Sequence, residues 1–241
     1  MDVYEAMFRV KTYECQVDGT IRIASLMQYL QEAAAVQAET LGFGFKRLRE
    51  INSYWVLSNF RMEITRLPSW GGQLTIRTWP SGSGRVIASR EFVGMDREGR
   101  ELFRAGSEWM VLDKQKNRPK NLFRLDWDLP RTGEKVLSEE LTRLQRREDY
   151  QKVDHVRVPF SSIDLNGHVN NTEYVRWGLD ALRRTSKGER DVRCVQVSYL
   201  SEVFEDDELD VLVCSNGCDQ FQILGMQSDT KTDVYLMEVA Y

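Results

Sequence analysis

The sequence predicts an α+β protein built from two tandem units, each an antiparallel sheet wrapped around a long helix. Three observations predict this class. Two segments of the 241-residue chain align without gaps when the sequence is shifted by 148 positions. Each segment contains a helix whose apolar face is too wide to be left in water. Each helix is followed by short strand patterns separated by turn residues, an order typical of α+β proteins.

The repeated segments are residues 10–34 and 158–182. Gly19 falls on Gly167, and in both copies a short extended stretch passes through this glycine into a helix. Apolar residues then recur at helical spacing. These residues are Ile23, Met27, Leu30 and Ala34 in the first copy and Val175, Leu179 and Leu182 in the second.

The strands follow the helices. Those of the first copy are predicted at Ser53–Thr65, Gln73–Trp79, Arg85–Met95 and Glu101–Leu112, and those of the second at Val192–Tyr199, Glu208–Ser215, Phe221–Gln227 and Val234–Tyr241. Turn residues such as Asn216-Gly217 separate them. A sheet that curls around the preceding helix is the hot-dog arrangement, so the sequence predicts a double hot-dog.

The predicted domains are an N-terminal unit at 1–129, a charged linker at 130–152 and a C-terminal unit at 153–241. Within the linker, residues 138–144 are predicted to form a short helix. Two fused copies already make the pair that single hot-dogs obtain by dimerisation, so we expect a monomer or a homodimer.

Composition and charge exclude several classes of function. The net charge of −4 argues against general nucleic-acid binding. No run approaches the ~20 apolar residues that cross a bilayer, and the N-terminus lacks the pattern of a signal peptide. The four cysteines have no metal-type spacing, which indicates reduced thiols. We expect a cytoplasmic protein without membrane insertion, metal or cofactor.

The candidate catalytic residues lie at positions where the two copies differ. The second copy carries Asp164, Asn166 and His168, a set that contains a candidate general acid or base. The first copy has Gln16, Asp18 and Thr20 at the matching positions.

Alternate residues of an extended segment point to one side, so Asp164, Asn166 and His168 are expected to converge. Ile163, Leu165 and Val169 would anchor the segment in the core. The alternative is a plain turn in which His168 is incidental.

A helix start follows directly. Asn170 is the predicted N-cap, and Glu173 would complete a capping box. This places free backbone N–H groups and the positive end of the helix dipole beside His168, where they can polarise a carbonyl group.

Glu202 is the candidate second carboxylate, because it ends a strand otherwise built from core residues. An ordinary surface glutamate is the alternative. The second histidine, His155, is expected at the surface or at a strand end without comparable neighbours. The spacing of His155, Asp164 and His168 does not favour a metal site.

Residues 158–177 resemble the signature of plant and bacterial acyl-acyl carrier protein (acyl-ACP) thioesterases. Further motifs of the same family lie in the first copy, and together they cover nearly the whole chain. They are Tyr54-Trp-Val-Leu-Ser-Asn-Phe-Arg-Met-Glu-Ile, Leu67-Pro-Ser-Trp-Gly-Gly, Thr78-Trp-Pro-Ser-Gly and Glu108-Trp-Met-Val-Leu-Asp with Arg118-Pro. Plant members carry a transit peptide, which we do not expect in this protein, so the resemblance is to the bacterial branch.

The resemblance implies hydrolysis of fatty acyl-ACP to a free fatty acid and holo-ACP, as part of fatty acid biosynthesis, with an acidic carrier protein as partner. Local basic clusters, such as Lys114–Lys120, suit an acidic partner, although ordinary solvated surface is the alternative. The first unit would hold the acyl chain and the second would catalyse. The lining candidates, for which core packing is the alternative, are Met27, Leu30, Ala34, Trp55 and Leu57.

The family's catalytic residues fall on Asp164, Asn166, His168 and Glu202. Plant members often have a cysteine after that glutamate, whereas this sequence has Val203, which excludes a thiolate at this position. We therefore expect Glu202 and His168 to activate water, while Asn166 and the helix-start N–H groups hold the carbonyl oxygen. Asp164 either orients the site or attacks the substrate itself. Alternatives are an acyl-CoA thioesterase, a non-catalytic acyl-binding protein and, less favoured, a hot-dog dehydratase.

Overall fold

The structure is a computed structural model that describes residues 3–129, 133–185 and 191–241. It divides into two compact units, Met1–Leu141 (unit 1) and Thr142–Tyr241 (unit 2). No helix among the described residues is long and apolar enough to cross a membrane.

Unit 1 consists of a long helix and an antiparallel sheet. The order along the chain is β1 (Tyr4–Arg9), a 3-10 turn (Thr12–Glu14), α1 (Ile23–Thr40), α2 (Phe45–Glu50), β2 (Ser53–Ile64), β3 (Gln73–Ser83), β4 (Ala88–Met95), β5 (Glu101–Asp113), β6 (Arg118–Pro119) and a 3-10 turn (Leu122–Arg124). The strands lie side by side in the order β1-β3-β4-β5-β2, and the short β6 pairs with β5.

Unit 2 repeats this plan. It contains β7 (Gln151–Arg157), a 3-10 turn (Phe160–Ser162), α3 (Asn171–Thr185), β8 (Cys194–Tyr199), β9 (Glu208–Ser215), β10 (Gln220–Gln227) and β11 (Asp233–Ala240). The strand order β7-β9-β10-β11-β8 is the order of unit 1, strand for strand. The predicted pair of hot-dog units is therefore confirmed.

The shift of 148 positions is confirmed residue by residue around the start of each helix. The 3-10 turns begin at 12 and 160, and the helices begin at 23 and 171. Isolated bridges join Cys15 to Ile21 and Ile163 to Val169. Gly19 and Gly167 both have a left-handed backbone, with φ of 81° and 84°, a conformation that glycine adopts without strain.

The core of each unit lies between its helix and the sheet. Met27 and Leu30 on α1 are buried, as are Leu74 and Ile76, which alternate on β3. In unit 2, Val175 on α3 is fully buried. Such interleaved apolar faces supply most of the driving force for folding.

A glycine lies beneath an aromatic ring in both sheets. Gly94 on β4 is paired with Phe103 on β5, and Gly225 on β10 is paired with Tyr235 on β11. A Cβ atom at either glycine would lie about 2 Å from the ring of its partner, so both positions require glycine, which has no Cβ atom.

All eight predicted strands are present. Glu208–Ser215 has the predicted bounds, and the other seven have changed ends. The strand predicted to end at Trp79 continues to Ser83, past a register shift between Pro80 and Gly82, and the next begins at Ala88 rather than Arg85. The edge strands β1 and β7 were not predicted.

The short helix predicted at residues 138–144 is wrong, because this segment has no helical turn. Its polar groups are satisfied by sheet side chains instead. In unit 1, Ser138 donates to the Glu63 carboxylate at 3.1 Å. In unit 2, the Leu144 N–H donates to Ser198 Oγ at 2.9 Å. Because these polar groups already have hydrogen-bond partners on neighbouring strands, they do not need a helix to satisfy them.

Candidate active site

The residues Asp164–His168 form a tight turn closed by backbone hydrogen bonds. The Asp164 N–H donates to the carbonyl of His168 at 2.8 Å, and the Gly167 N–H donates to the carbonyl of Asp164 at 3.0 Å. The flanking bridge between Ile163 and Val169 holds the two ends of the turn together. The predicted extended segment, with alternate residues on one side, is therefore wrong.

The Asp164 carboxylate stabilises this turn by accepting hydrogen bonds from its backbone. Its Oδ1 accepts the N–H of Asn166 at 2.7 Å and, more weakly, the N–H of His168 at 3.4 Å. Of the two roles left open for Asp164, orienting the site or attacking the substrate, these hydrogen bonds favour the first. Leu165, predicted to anchor the core, lies at the tip of the turn and is 91% exposed.

The turn brings His168 close to Glu202. The Val169 N–H donates to the carbonyl of Val203 at 3.0 Å, which ties the chain after β8 to the chain after the turn. His168 Nδ1 lies 3.9 Å from Glu202 Oε1, and the two side chains are 22% and 25% exposed. The imidazole and the carboxylate thus share a partly shielded position that water can reach.

An aromatic ring supports the imidazole. Phe204 makes an edge contact with His168, with ring centroids 5.1 Å apart. Phe204 was not among the candidates from the sequence, but its place two residues after Glu202 puts it beside the imidazole. Its half-exposed ring shields one side of His168.

Helix α3 begins three residues after His168, as predicted. Asn170 is the N-cap, since its Oδ1 accepts the N–H of Thr172 at 3.0 Å and the Thr172 hydroxyl at 2.8 Å. The predicted capping box is wrong. The Asn170 N–H donates to the carbonyl of Ser162, and Glu173 instead pairs with Arg176 at 3.2 Å. The positive end of a 15-residue helix nevertheless begins beside the imidazole.

Tyr174, one turn into α3, is buried next to these residues. Its ring makes edge contacts with Tyr199 and Tyr235. Burial, together with the negative charges of Glu202 and Asp164, raises the pKa of Tyr174 well above its ordinary value, so the hydroxyl stays protonated. Asn166, the remaining candidate, is partly buried within the turn.

The lining candidates all lie in unit 1. Met27, Leu30 and Ala34 on α1 and Leu57 on β2 are buried in its core. Trp55 packs against a smaller apolar cluster. Its indole N–H donates to the carbonyl of Phe43 at 3.0 Å, and its ring lies 5.6 Å from that of Trp127.

A cleft of about 840 Å³ opens elsewhere in unit 1, between the ends of β1 and β5. Its walls include Met7, Arg66 and Asp96, and none of the lining or catalytic candidates.

His155 has more neighbours than expected. It lies on β7, and its Nδ1 is 3.1 Å from Asp210 Oδ1 and 3.4 Å from Ser228 Oγ. Lys152 and Lys231 also pair with Asp210. No sequence pattern indicated this cluster, because its members lie up to 79 positions apart (152 to 231) and meet where β7 and β9 pair and the turn after β10 returns to them.

Taken together, the chain is a double hot-dog protein whose second copy places an imidazole and a carboxylate beside a helix N-terminus. Family models agree with this class. Residues 1–124 match the acyl-ACP thioesterase N-terminal domain and residues 145–236 match the acyl-ACP thioesterase C-terminal domain. The chain belongs to the acyl-ACP thioesterase family.

Curated relatives carry related names. The chloroplastic palmitoyl-acyl carrier protein thioesterase of Arabidopsis thaliana is 28% identical over 232 residues, which are 90% of this chain and 56% of the relative. The chloroplastic oleoyl-acyl carrier protein thioesterase of Coriandrum sativum is 27% identical over 232 residues, 87% of this chain and 62% of the relative. The chain thus spans about three fifths of the length of these relatives.

Solved structures share the fold. An acyl-ACP thioesterase from Bacteroides thetaiotaomicron superposes with a TM-score of 0.82 at 22% identity, covering 99% of this chain and 97% of that one. The 12:0-ACP thioesterase from Umbellularia californica gives 0.84 at 22% identity, covering 99% and 96%.

Proposed function

We propose that the protein hydrolyses fatty acyl-ACP thioesters to a free fatty acid and holo-ACP. The observation that carries the proposal is the 3.9 Å approach of His168 and Glu202 beside the start of α3, in a chain that belongs to the acyl-ACP thioesterase family. The names of the relatives support the same reaction.

In the proposed mechanism a water molecule bound by Glu202 and His168 attacks the thioester carbonyl carbon, and the pair takes its proton. The oxyanion that forms is held by the Asn166 amide and is stabilised by the positive end of the α3 dipole. Collapse of this intermediate breaks the carbon–sulfur bond. The proton then passes to the sulfur of the departing carrier thiol.

Two observations favour water over a protein nucleophile. Val203, directly after Glu202, is fully buried and has no nucleophilic atom. The Asp164 carboxylate accepts hydrogen bonds from its own turn. We therefore assign Asp164 a positioning role, in which it holds the backbone of Asn166 and His168, and not a role in covalent catalysis.

The assignment of the acyl chain to unit 1 and of catalysis to unit 2 is part of this proposal. Unit 2 holds the four catalytic candidates. At the matching turn of unit 1, the Asp18 carboxylate accepts the Thr20 N–H at 2.8 Å, and this turn offers no imidazole. Unit 1 instead offers the longer helix and the buried apolar candidates along it. We further propose that the acidic carrier binds a basic part of the surface, and that the enzyme works in the cytoplasm as a monomer or a homodimer.

The direct test is the release of thiol from one acyl group carried either by ACP or by coenzyme A. We expect turnover with acyl-ACP and a lower kcat/KM with acyl-CoA. A clear preference for coenzyme A would favour the acyl-CoA thioesterase alternative. Failure to hydrolyse any thioester would favour a non-catalytic acyl-binding protein.

The proposed roles are tested by His168→Ala and Glu202→Gln. Each is expected to lower kcat by about 10²–10⁴-fold, the usual contribution of a positioned acid or base. Thr20→Ala is the matched control, because Thr20 occupies in unit 1 the position of His168 and is expected to leave kcat unchanged. Near-normal activity of either unit-2 variant would contradict the assignment.

A further inference from the structure

Arg90 points its charged group into the interior of unit 1. It lies on β4 and is only 6% exposed, and Ala88 and Phe92, two residues away on either side, are also buried. Alternate residues of a strand share one face. The guanidinium reaches Gln37 of α1, so this face is the one that packs against the helix.

The hydrogen-bond partners of Arg90 are neutral. Nη1 donates to Gln37 Oε1 at 2.5 Å and to Thr78 Oγ1 at 3.1 Å. Thr78 is itself fixed, because its hydroxyl donates to the carbonyl of Glu91 at 2.8 Å. Gln37 and Thr78 are both buried. Within the described ranges, no carboxylate forms an ion pair with Arg90.

This arrangement is unusual for an arginine. Burial lowers the pKa of Arg90 to about 10, which still leaves the group protonated at neutral pH. A buried charge is normally compensated by an opposite charge. Arg104 and Arg147, which lie closer to the surface, each pair with a glutamate. Arg90 therefore keeps an uncompensated positive charge inside unit 1.

The guanidinium of Arg90 also has N–H groups that form no hydrogen bond within the described residues. Arginine carries five N–H groups, and both hydrogen bonds come from Nη1. Across the residues that the structure describes, Nε and Nη2 meet no acceptor. These N–H groups are available to donate to water or to a ligand oxygen.

Arg90 lies where the apolar face of α1 ends. Met27, Leu30 and Ala34 form that face, and Gln37 follows Ala34 by three residues, which is about 4.5 Å along the helix axis. An alkyl chain that follows this face reaches the guanidinium held by Gln37. A methyl end at this point would displace water from the free donors and offer no acceptor in return.

We propose that Arg90, held by Gln37 and Thr78, closes the end of the acyl-binding site in unit 1 that lies beside Gln37 and sets the longest alkyl chain that the enzyme accepts. This inference rests on the proposed function, since it takes the acyl chain to lie along α1. It assigns Arg90 to substrate specificity rather than to the chemical step. It also predicts that a chain ending in a hydroxyl group is tolerated where a methyl end is not.

The test uses a series of saturated acyl-ACP substrates that lengthen by two carbons at a time. Arg90→Met, which removes the charge at similar length, is expected to raise kcat/KM for the first chain beyond the wild-type limit by about tenfold or more relative to shorter chains. Arg90→Lys keeps the charge and is expected to keep the limit. Arg104→Met, which changes a half-buried arginine on the neighbouring β5, is the matched control and is expected to keep the wild-type profile.

A folded Arg90→Met with the wild-type profile would overturn the inference, and so would an equal shift in Arg104→Met. If Arg90→Met does not fold, the double variant Gln37→Met/Arg90→Met replaces the polar pair by apolar side chains. A wild-type profile in this double variant, or an equal shift in Arg104→Met, would again overturn the inference.

A second measurement needs no variant. At the first chain length that the wild type rejects, a terminal hydroxyl group should raise kcat/KM by about tenfold over the methyl-ended chain, because the hydroxyl can accept from Arg90. No gain would overturn the inference. Complete lack of thioester hydrolysis would instead refute the proposed function itself, so the two failures are distinguishable.

Discussion

The role of Asp164 can be decided by comparing Asp164→Asn with Asp164→Ala. The structure shows one short hydrogen bond, from the Asn166 N–H at 2.7 Å, and one weak one, from the His168 N–H at 3.4 Å, both to Oδ1. Asparagine keeps a carbonyl oxygen that can accept both. Alanine removes the acceptor and leaves the N–H groups of a partly buried turn without their partner.

The magnitudes follow from these contacts. A hydrogen bond to a charged group contributes about 1.5–3 kcal/mol, so the alanine variant should lose about 2–3 kcal/mol of positioning, or about 30- to 150-fold in kcat. A neutral acceptor retains about half of such a bond, so the asparagine variant should lose only about fivefold to tenfold. If Asp164 were the attacking group, both variants would lose about 10⁴-fold or more.

The assay is thiol release from acyl-ACP at saturating substrate, with circular dichroism to confirm that each variant is folded. Asp18→Ala is the matched control, since Asp18 caps the equivalent turn of unit 1 through the Thr20 N–H at 2.8 Å. It should leave kcat unchanged. A folded Asp164→Asn that is as inactive as Asp164→Ala would refute the positioning role.

Three further predictions concern stability. Burial by itself raises the pKa of Asp210, but hydrogen bonds from Lys152, His155, Ser228 and Lys231 outweigh it and hold this pKa well below the ordinary value. Asp210→Asn should therefore lower the free energy of unfolding by about 2–3 kcal/mol at pH 7 in urea titrations. That difference should shrink as the pH falls below about 4, where the wild-type carboxylate is protonated in the unfolded state and then in the folded state. A difference that does not change with pH would contradict this account. Asn170→Ala should cost about 1 kcal/mol through loss of the N-cap of α3, measured in the same way, and no loss would show that the cap is dispensable. Gly225→Ala places a Cβ atom 2.0 Å from the Tyr235 ring and should cost about 1–3 kcal/mol. Gly84→Ala, whose Cβ would meet nothing closer than 3.8 Å, is the control, and equal losses in the two would contradict the packing argument.

The internal repeat made most of the fold predictable. Because the two copies align without gaps at a shift of 148 positions, one pattern located both helix starts and the glycine that precedes each of them. The 3-10 turns and the left-handed backbone of the two glycines were not predicted. The ends of β3 and β4 were missed because the register shift between Pro80 and Gly82 lies inside a stretch rich in turn residues. Local sequence does not show whether such a stretch remains paired with its neighbour.

The sequence indicated candidate residues that the structure places close together, His168 and Glu202, but it did not predict the shape of the turn that carries them. The difference between the copies at position 168 indicated the imidazole, and the family motif indicated Glu202. The turn was not predicted because the Asp164 carboxylate accepts a hydrogen bond from the backbone N–H of Asn166. A pattern of alternating residues does not reveal such a local hydrogen bond. The neighbours of His155 were missed because pairing of β7 with β9 places it opposite Asp210, 55 positions away.

The central claim is that His168 and Glu202 act as one catalytic pair. It is tested most directly by a double-mutant cycle on kcat for acyl-ACP hydrolysis, with His168→Ala, Glu202→Gln and the double variant. Two groups that share one step are expected to be strongly non-additive, so the double variant should be about as slow as the slower single variant. Losses that multiply in the double variant would show that the two side chains, although 3.9 Å apart, act independently.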